Sequence, residues 1–141
     1  MKNNIKTFEK ISKNLRYELI KLIHKTKTSH LGSSLSCIDI LVGIYFSKNG
    51  IGSNVNNKKN LKNTFILSKG HAAPALYVVL EKKKYISKKM LNTYSKPKSY
   101  LEEHPNININ GVLVSSGSLG HGLSYAAGMS LADKIKKKNN K

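Results

Sequence analysis

Twice along this chain, a short apolar run leads directly into a loop of glycine and histidine and then into a helical segment. The first unit, residues 64–81, reads TFIL, then SKGHAAP, then ALYVVLE. The second unit, residues 111–129, reads GVLVSS, then GSLGHG, then LSYAAGM. A strand, a tight loop and a helix that follow one another twice are typical of α/β proteins. The sequence therefore predicts an α/β fold, with a parallel sheet flanked by helices.

The amino-terminal part of the chain is predicted to be helix-rich. Apolar residues recur at steps of three and four between residues 5 and 26, which indicates one amphipathic helix. Those residues are Ile5, Phe8, Ile11, Leu15, Leu19, Leu22 and Ile23. Ser36 precedes Asp39 by three residues, the spacing of a capping box, and the apolar run that follows favours a second, buried helix. A short helix is expected at about residues 87–95.

Only two candidate strands are visible, which is few for an α/β domain. A doubly wound sheet normally has about five or six strands. We therefore interpret residues 1–141 as one incomplete domain, the first part of a larger fold. Residues 48–63 are polar and Asn-rich and are expected to form a surface connection, and residues 134–141, KIKKKNNK, are expected to form a Lys/Asn-rich tail.

The charge of the chain raises an alternative function. A formal net charge of +18 ordinarily suggests nucleic acid or an acidic membrane surface as a partner. However, Arg16 is the one arginine among 25 Lys and Arg residues, and recognition of phosphates and bases usually employs the planar fork of arginine. A genomic base bias toward Lys, Asn and Ile codons explains the charge equally well. A basic nucleic-acid-binding module is thus an alternative, and no nucleic acid partner is expected.

Cysteine content and hydropathy bear on the compartment. The single cysteine, Cys37, excludes an internal disulfide and a Cys-based zinc site, and it fits a reducing compartment. No apolar run approaches the length of a membrane-spanning helix, and residues 1–13 lack the apolar stretch of a secretory signal. We expect a cytoplasmic protein with no membrane partner.

The loop GSLGHG is the strongest candidate for ligand binding. Ligands of α/β sheets bind where a strand ends and a helix begins, and glycine lets a ligand approach the backbone closely. A helix start also offers amide N–H groups and a partial positive charge to a phosphate. We expect Gly117, Gly120 and Gly122 to serve such a site, and Gly128 to allow close packing of the helix against the sheet.

Four of the five histidines lie in loops at predicted element ends: His30, His71, His104 and His121. Histidine is suited to move protons or donate hydrogen bonds near neutral pH. His24 lies on the first predicted helix, where an ordinary polar surface role is expected.

Four segments in this order resemble the amino-terminal part of transketolase, above all the amino-terminal subunit of split transketolases. They are TSHLGSSLSCIDILVGIYF (28–46), FILSKGHAAPALYVVL (65–80), EEHPN (102–106) and SSGSLGHGLSYAAGMSLADK (115–134). The resemblance covers about residues 8 to 134. It implies an incomplete thiamine-diphosphate-binding fold, namely the diphosphate-side domain.

The resemblance also implies roles for particular residues. His30 and His104 are similar to catalytic histidines that contact the donor sugar, and His71 is similar to the histidine near the cofactor diphosphate. The residues expected to line the cofactor are Gly117, Ser118, Leu119, Gly120 and His121. The chain departs from the family pattern at Ser29 and Leu31, where Gly and Pro are usual, and at Glu102 and Glu103, where a small residue or Gly is common.

By the same resemblance, the expected function is that of the amino-terminal portion of a transketolase. Such an enzyme transfers a two-carbon ketol unit between sugar phosphates with thiamine diphosphate and Mg²⁺ or Ca²⁺. The metal ligands are expected outside this chain, because the Gly-Asp-Gly motif of the family is absent from it. The expected partner is therefore a carboxy-terminal transketolase section or subunit, with a homodimer or heterotetramer when complete. A degenerate, non-catalytic relic is the alternative.

Overall fold

A computed structural model of the chain describes residues 2–48, 50–51 and 64–136. The described residues form six α-helices and one short 3₁₀ turn. The helices are α1 (Lys2–Thr26), α2 (Leu31–Leu35), α3 (Ile38–Phe46), α4 (Ala73–Lys82), α5 (Lys88–Leu91) and α6 (His121–Ile135), and the 3₁₀ turn is Gly70–Ala72. Most of the predicted surface connection at 48–63 lies outside the described residues.

The predicted sheet is wrong. Residues 64–67 and 111–116 contain no strand, and none is found elsewhere in the described part of the chain. A strand exists only where its backbone pairs with a neighbouring strand. Here the Ser116 hydroxyl donates to the Leu67 carbonyl at 2.7 Å, a contact between a side chain and the backbone. The Val112 amide bonds back to Ile109 in its own loop. These two segments therefore lack ladder pairing, and the described residues are helical rather than α/β.

The helix α4 lies at the centre of the fold. Every residue from Ala73 to Leu80 is buried, as expected for a helix that is apolar on all sides. It packs against α1, α2, α3 and α5. Pro74 lies in its first turn, where the missing proline N–H costs no hydrogen bond. The hydrophobic core is therefore organised around this one helix.

The amphipathic helix predicted near residues 5–26 is confirmed as α1. Leu15, Leu19, Leu22 and Ile23 are buried against the core, whereas Ile5 near the amino end is exposed. The guanidinium of Arg16 donates to Asp39 of α3 at 3.0 Å, and these bonds lower the pKa of that carboxyl. This exposed ion pair connects α1 to α3.

The helix predicted after Ser36 is confirmed as α3, but the predicted capping box is wrong. The N-cap of α3 is Cys37, which makes no side-chain cap bond. Ser36 instead has helical backbone angles, and its hydroxyl donates to the Ser33 carbonyl at 2.9 Å. The preceding helix α2 thus offers an acceptor that the sequence spacing did not reveal.

The remaining predictions concern the carboxyl side. The short helix near residues 87–95 is confirmed as α5, which ends earlier, at Leu91. The helix α6 continues to Ile135, so the first residues of the predicted tail are helical, and residues 137–141 lie outside the described part. No helix among the described residues is long and apolar enough to span a membrane.

Replacing Leu19 by Ala tests whether the buried face of α1 carries the core. Leu19 is fully buried, so we expect Leu19→Ala to lower the free energy of unfolding by about 2–5 kcal/mol. The neighbouring Ile20 is exposed, and Ile20→Ala is the matched control, with an expected change below about 0.5 kcal/mol. Urea unfolding followed by circular dichroism measures both. Equal losses in the two variants would contradict this packing.

Candidate functional site

His30 lies at the start of α2 and has an unusual backbone conformation. It is the N-cap of α2, with φ of 71°, in the left-handed region that residues other than glycine rarely occupy. Its carbonyl accepts hydrogen bonds from the Ser34 amide at 3.1 Å and the Ser33 hydroxyl at 2.8 Å. These two bonds hold the strained residue in place.

His71 lies in the 3₁₀ turn that leads into α4. The Ser33 hydroxyl reaches its carbonyl at 3.3 Å, and the Lys69 amine donates to the Ser33 carbonyl at 3.1 Å, so α2 is bound to this turn. Gly70 is required here, because a Cβ at this position would lie 2.7 Å from the Ser116 carbonyl oxygen. The turn that carries His71 is thus pressed against the loop that leads to the glycine segment.

His104 is held in place by the central helix. The hydroxyl of Tyr77, on α4, donates to the His104 carbonyl at 2.9 Å. Burial raises the pKa of Tyr77 well above its ordinary value, so this hydroxyl remains a donor at any physiological pH. Tyr94 packs edge-on against Tyr77 with ring centroids 5.9 Å apart.

The structure brings three of the candidate histidines together. The ring centroids of His30 and His71 are 5.6 Å apart, and those of His30 and His104 are 6.2 Å apart. Gly117 lies beside them, since a Cβ at Gly117 would be 3.6 Å from Cδ2 of His104. Residues far apart in the sequence therefore meet at one place, which we call the histidine cluster: His30, His71 and His104.

The rest of the glycine loop lies at the surface. Gly117, Ser118, Leu119, Gly120 and His121 are all exposed. Gly120 is the N-cap of α6 with φ of 88°, a conformation that glycine adopts without strain, and His121 is the first residue of that helix. Among the described residues, no ring contact joins the exposed His121 to the histidine cluster. The loop therefore presents the N-terminus of a 15-residue helix to solvent.

The carboxylate of Glu103, which the sequence did not mark as a site residue, lies against the histidine cluster. Oε2 of Glu103 accepts a hydrogen bond from the Ser29 hydroxyl at 2.9 Å and lies 3.4 Å from Nδ1 of His30. Its position directly before His104 is the signal that could have indicated it. Among the described residues, no group of three or more His, Cys, Asp or Glu side chains could hold a metal ion.

Close packing of the last helix was predicted at Gly128, but in the structure it occurs at Gly122. No atom lies within 4 Å of a Cβ built at Gly128, so its small size serves no packing contact in the described structure. A Cβ at Gly122 would lie 2.7 Å from Cα of Ser68. Gly122 is also the buried residue of α6. The close approach that attaches α6 to the body of the protein is thus at the start of the helix.

Comparison with known proteins identifies similar sequences along almost the whole chain. Residues 8–141 match the family described as "Transketolase, thiamine diphosphate binding domain". The chain is 37% identical over 137 residues to one subunit of the apulose-4-phosphate transketolase of Phocaeicola vulgatus, and the match covers 97% of this chain and 48% of that protein.

Two further relatives show the same pattern. The chain is 35% identical over 119 residues to the 6-deoxy-6-sulfo-D-fructose transketolase subunit SqwG of a Clostridium species, covering 84% of this chain and 43% of that protein. Human transketolase is 33% identical over 121 residues, covering 85% of this chain and 19% of the human protein. The chain thus spans about half the length, or less, of the curated relatives it matches.

Two glycine substitutions in α6 distinguish the packing glycine from the unpacked one. We expect Gly122→Ala to destabilise the attachment of α6, because its methyl group would collide with the backbone of Ser68. Gly128→Ala has open space and should stabilise the helix by about 0.5–1 kcal/mol through helix propensity. Amide hydrogen exchange of residues 123–135 should become faster in the first variant and slower in the second. The same change in both variants would contradict this assignment.

Proposed function

This chain belongs to the transketolase thiamine diphosphate binding family, and from this premise we propose that it forms the diphosphate side of a transketolase site. The proposed reaction is the transfer of a two-carbon ketol unit between sugar phosphates. The observation that carries the proposal is the histidine cluster, which meets the glycine loop at Gly117. Three loops from distant parts of the chain converge there, as a site that binds both a cofactor and a substrate requires.

The chemistry of the residues present fits the cofactor. The exposed loop 117–120 leads into the N-terminus of α6, and the partial positive charge of a helix start suits a diphosphate. The side chain of His30 is 32% exposed, so the histidine cluster is open to a ligand. When bound, thiamine diphosphate supplies the carbon nucleophile and the electron sink for the carbon–carbon chemistry.

Within this proposal, each residue has a part that its position supports. His71, Gly117, Ser118, Leu119, Gly120 and His121 hold and line the cofactor. His30 and His104 contact the donor sugar and move protons at its hydroxyl groups, for which the imidazole side chain is suited. The divalent metal, Mg²⁺ or Ca²⁺, is bound by a polypeptide that corresponds to the part of the relatives that this chain does not match.

The partner surface in this proposal is the outer face of α6. Leu123, Ala127, Leu131 and Ile135 follow one another at steps of four residues, which places them along one side of the helix, away from the buried Gly122. Leu123, Leu131 and Ile135 are 73%, 58% and 73% exposed. We call this row the α6 stripe. An exposed apolar row of this kind marks an interaction surface.

We propose that the polypeptide equivalent to the carboxy-terminal half of the relatives covers the α6 stripe. The chain matches only about half of those relatives, and α6 continues directly from the loop proposed to hold the cofactor. A second copy of this chain is a poor occupant, because both copies would carry a formal charge of +18. The occupant is therefore expected to be apolar where it meets α6 and acidic around that contact.

Cofactor binding is tested with a chimera in which this chain replaces the matched half of the Phocaeicola vulgatus relative. We expect calorimetric titration with thiamine diphosphate and Mg²⁺ to show saturable binding. His71→Ala should weaken that binding at least about tenfold, the loss of one charge-assisted hydrogen bond. His24→Ala, an exposed histidine on α1, is the matched control and should leave the affinity unchanged. A folded chimera that binds no cofactor would support the relic, and equal effects of both substitutions would contradict the role of His71.

The partner surface is tested by co-expression with the carboxy-terminal half of the same relative. The whole chain should co-purify with it, and the double variant Leu123→Glu, Leu131→Glu should not, because two charges on the α6 stripe would have to be desolvated. Ile40→Glu on α3, where the side chain is 65% exposed, is the control and should co-purify like the unmodified chain. Co-purification of the double variant would overturn the proposal. So would a dimer of the chain alone, detected by light scattering and abolished by the double variant.

A further inference from the structure

We propose that Glu103 is a positioning residue that holds the proton of neutral His30 on Nδ1 and leaves Nε2 as the unprotonated nitrogen. Oε2 of Glu103 lies 3.4 Å from Nδ1 of His30, within ion-pair distance. The alignment at this distance falls short of a hydrogen bond, and Nδ1 has no other partner among the described residues although it is buried. A buried ring nitrogen beside a carboxylate is far more stable with a proton than without one, since two acceptors facing each other repel.

The surroundings of His30 leave Glu103 as the group that decides where the proton lies. The rings that face His30 are those of His71 and His104, and an imidazole carries no negative charge in either protonation state. The amine of Lys69 donates to the Ser33 carbonyl of α2 at 3.1 Å and to the Ser36 hydroxyl at 3.0 Å. Glu103 is therefore the charged group within ion-pair distance of this imidazole in the described structure.

Glu103 is held in place by a hydrogen bond to its carboxylate and by the anchoring of the residue that follows it. The Ser29 hydroxyl donates to its Oε2 at 2.9 Å, a contact between residues 74 positions apart in the sequence. The adjacent residue, His104, is anchored through its carbonyl to Tyr77 of the buried helix α4. Glu103 thus connects the loop before α2 to the loop that carries His104.

The position of the proton has a chemical consequence that rests on the proposed function. With Nδ1–H directed to Glu103, Nε2 accepts a proton from a hydroxyl group of a bound sugar and the ring becomes an imidazolium. The negative charge of Glu103 offsets that positive charge, and the same nitrogen later returns the proton. A carboxylate behind an imidazole in this way orients the base without taking up the proton itself.

Nitrogen NMR of the ¹⁵N-labelled whole chain tests the inference without cofactor or activity. The spectra are recorded at about pH 8.5, about two units above the pKa of an unperturbed imidazole. The chemical shifts of the two ring nitrogens of a neutral histidine report which of them carries the hydrogen. A His30→Gln variant identifies the His30 signals. We expect His30 to be predominantly in the Nδ1–H form, and Glu103→Leu to shift it to mainly Nε2–H, a change of at least fivefold in the ratio of the two forms.

Two further variants separate positioning from a general structural effect. Glu103→Gln keeps an acceptor oxygen and should retain most of the Nδ1–H form, whereas Glu102→Leu, one residue away, should leave the ratio unchanged. An unmodified chain with His30 mainly in the Nε2–H form would overturn the inference, whether or not the variants fold. So would an unchanged ratio in a folded Glu103→Leu chain. Failure of the chimera to bind thiamine diphosphate would instead defeat the proposed function and leave the proton position intact.

Discussion

The burial of α4 on all sides is the constraint on which the rest of the structure depends. A helix with no polar face cannot remain in water, so the chain has to surround it, and α1, α2, α3 and α5 do so. Each member of the histidine cluster is then positioned relative to this helix. His71 lies in the turn at its amino end, His104 is bound through Tyr77 of the helix itself, and His30 caps α2, which packs against it. The histidine cluster is therefore anchored to the core packing, while the glycine loop beside it lies at the surface.

The helices could be predicted because their signal is local. The three- and four-residue spacing of apolar side chains in α1 and the continuous apolar run of α3 each determine one element with no information from elsewhere. The strands were predicted from equally apolar runs at residues 64–67 and 111–116, and that prediction was wrong. A strand requires a neighbour to pair with, and no short segment reveals whether a neighbour is present.

The candidate site shows the same division between local and distant information. The histidines are predictable as site residues because they lie in loops next to element ends, and His30, His71 and His104 do lie together. The sequence could not show which residues from distant parts of the chain contact the site. Glu103 meets Ser29 and His30 across more than seventy residues, and Gly122 rather than Gly128 meets the backbone of Ser68. Contacts of this kind depend on the packing of the whole chain and leave no regular spacing behind.

The close contact between Gly70 and the backbone of Ser116 has a mechanical consequence. Its hydrogen atom occupies the narrow space between the turn that bears His71 and the carbonyl of Ser116, and the obstacle is main chain that cannot rotate away. Packed backbones transmit displacement rather than absorb it. An inward displacement of residues 116 and 117 is therefore expected to displace His71 as well. The turn at residues 70–72 and the loop at residues 116–117 should move together.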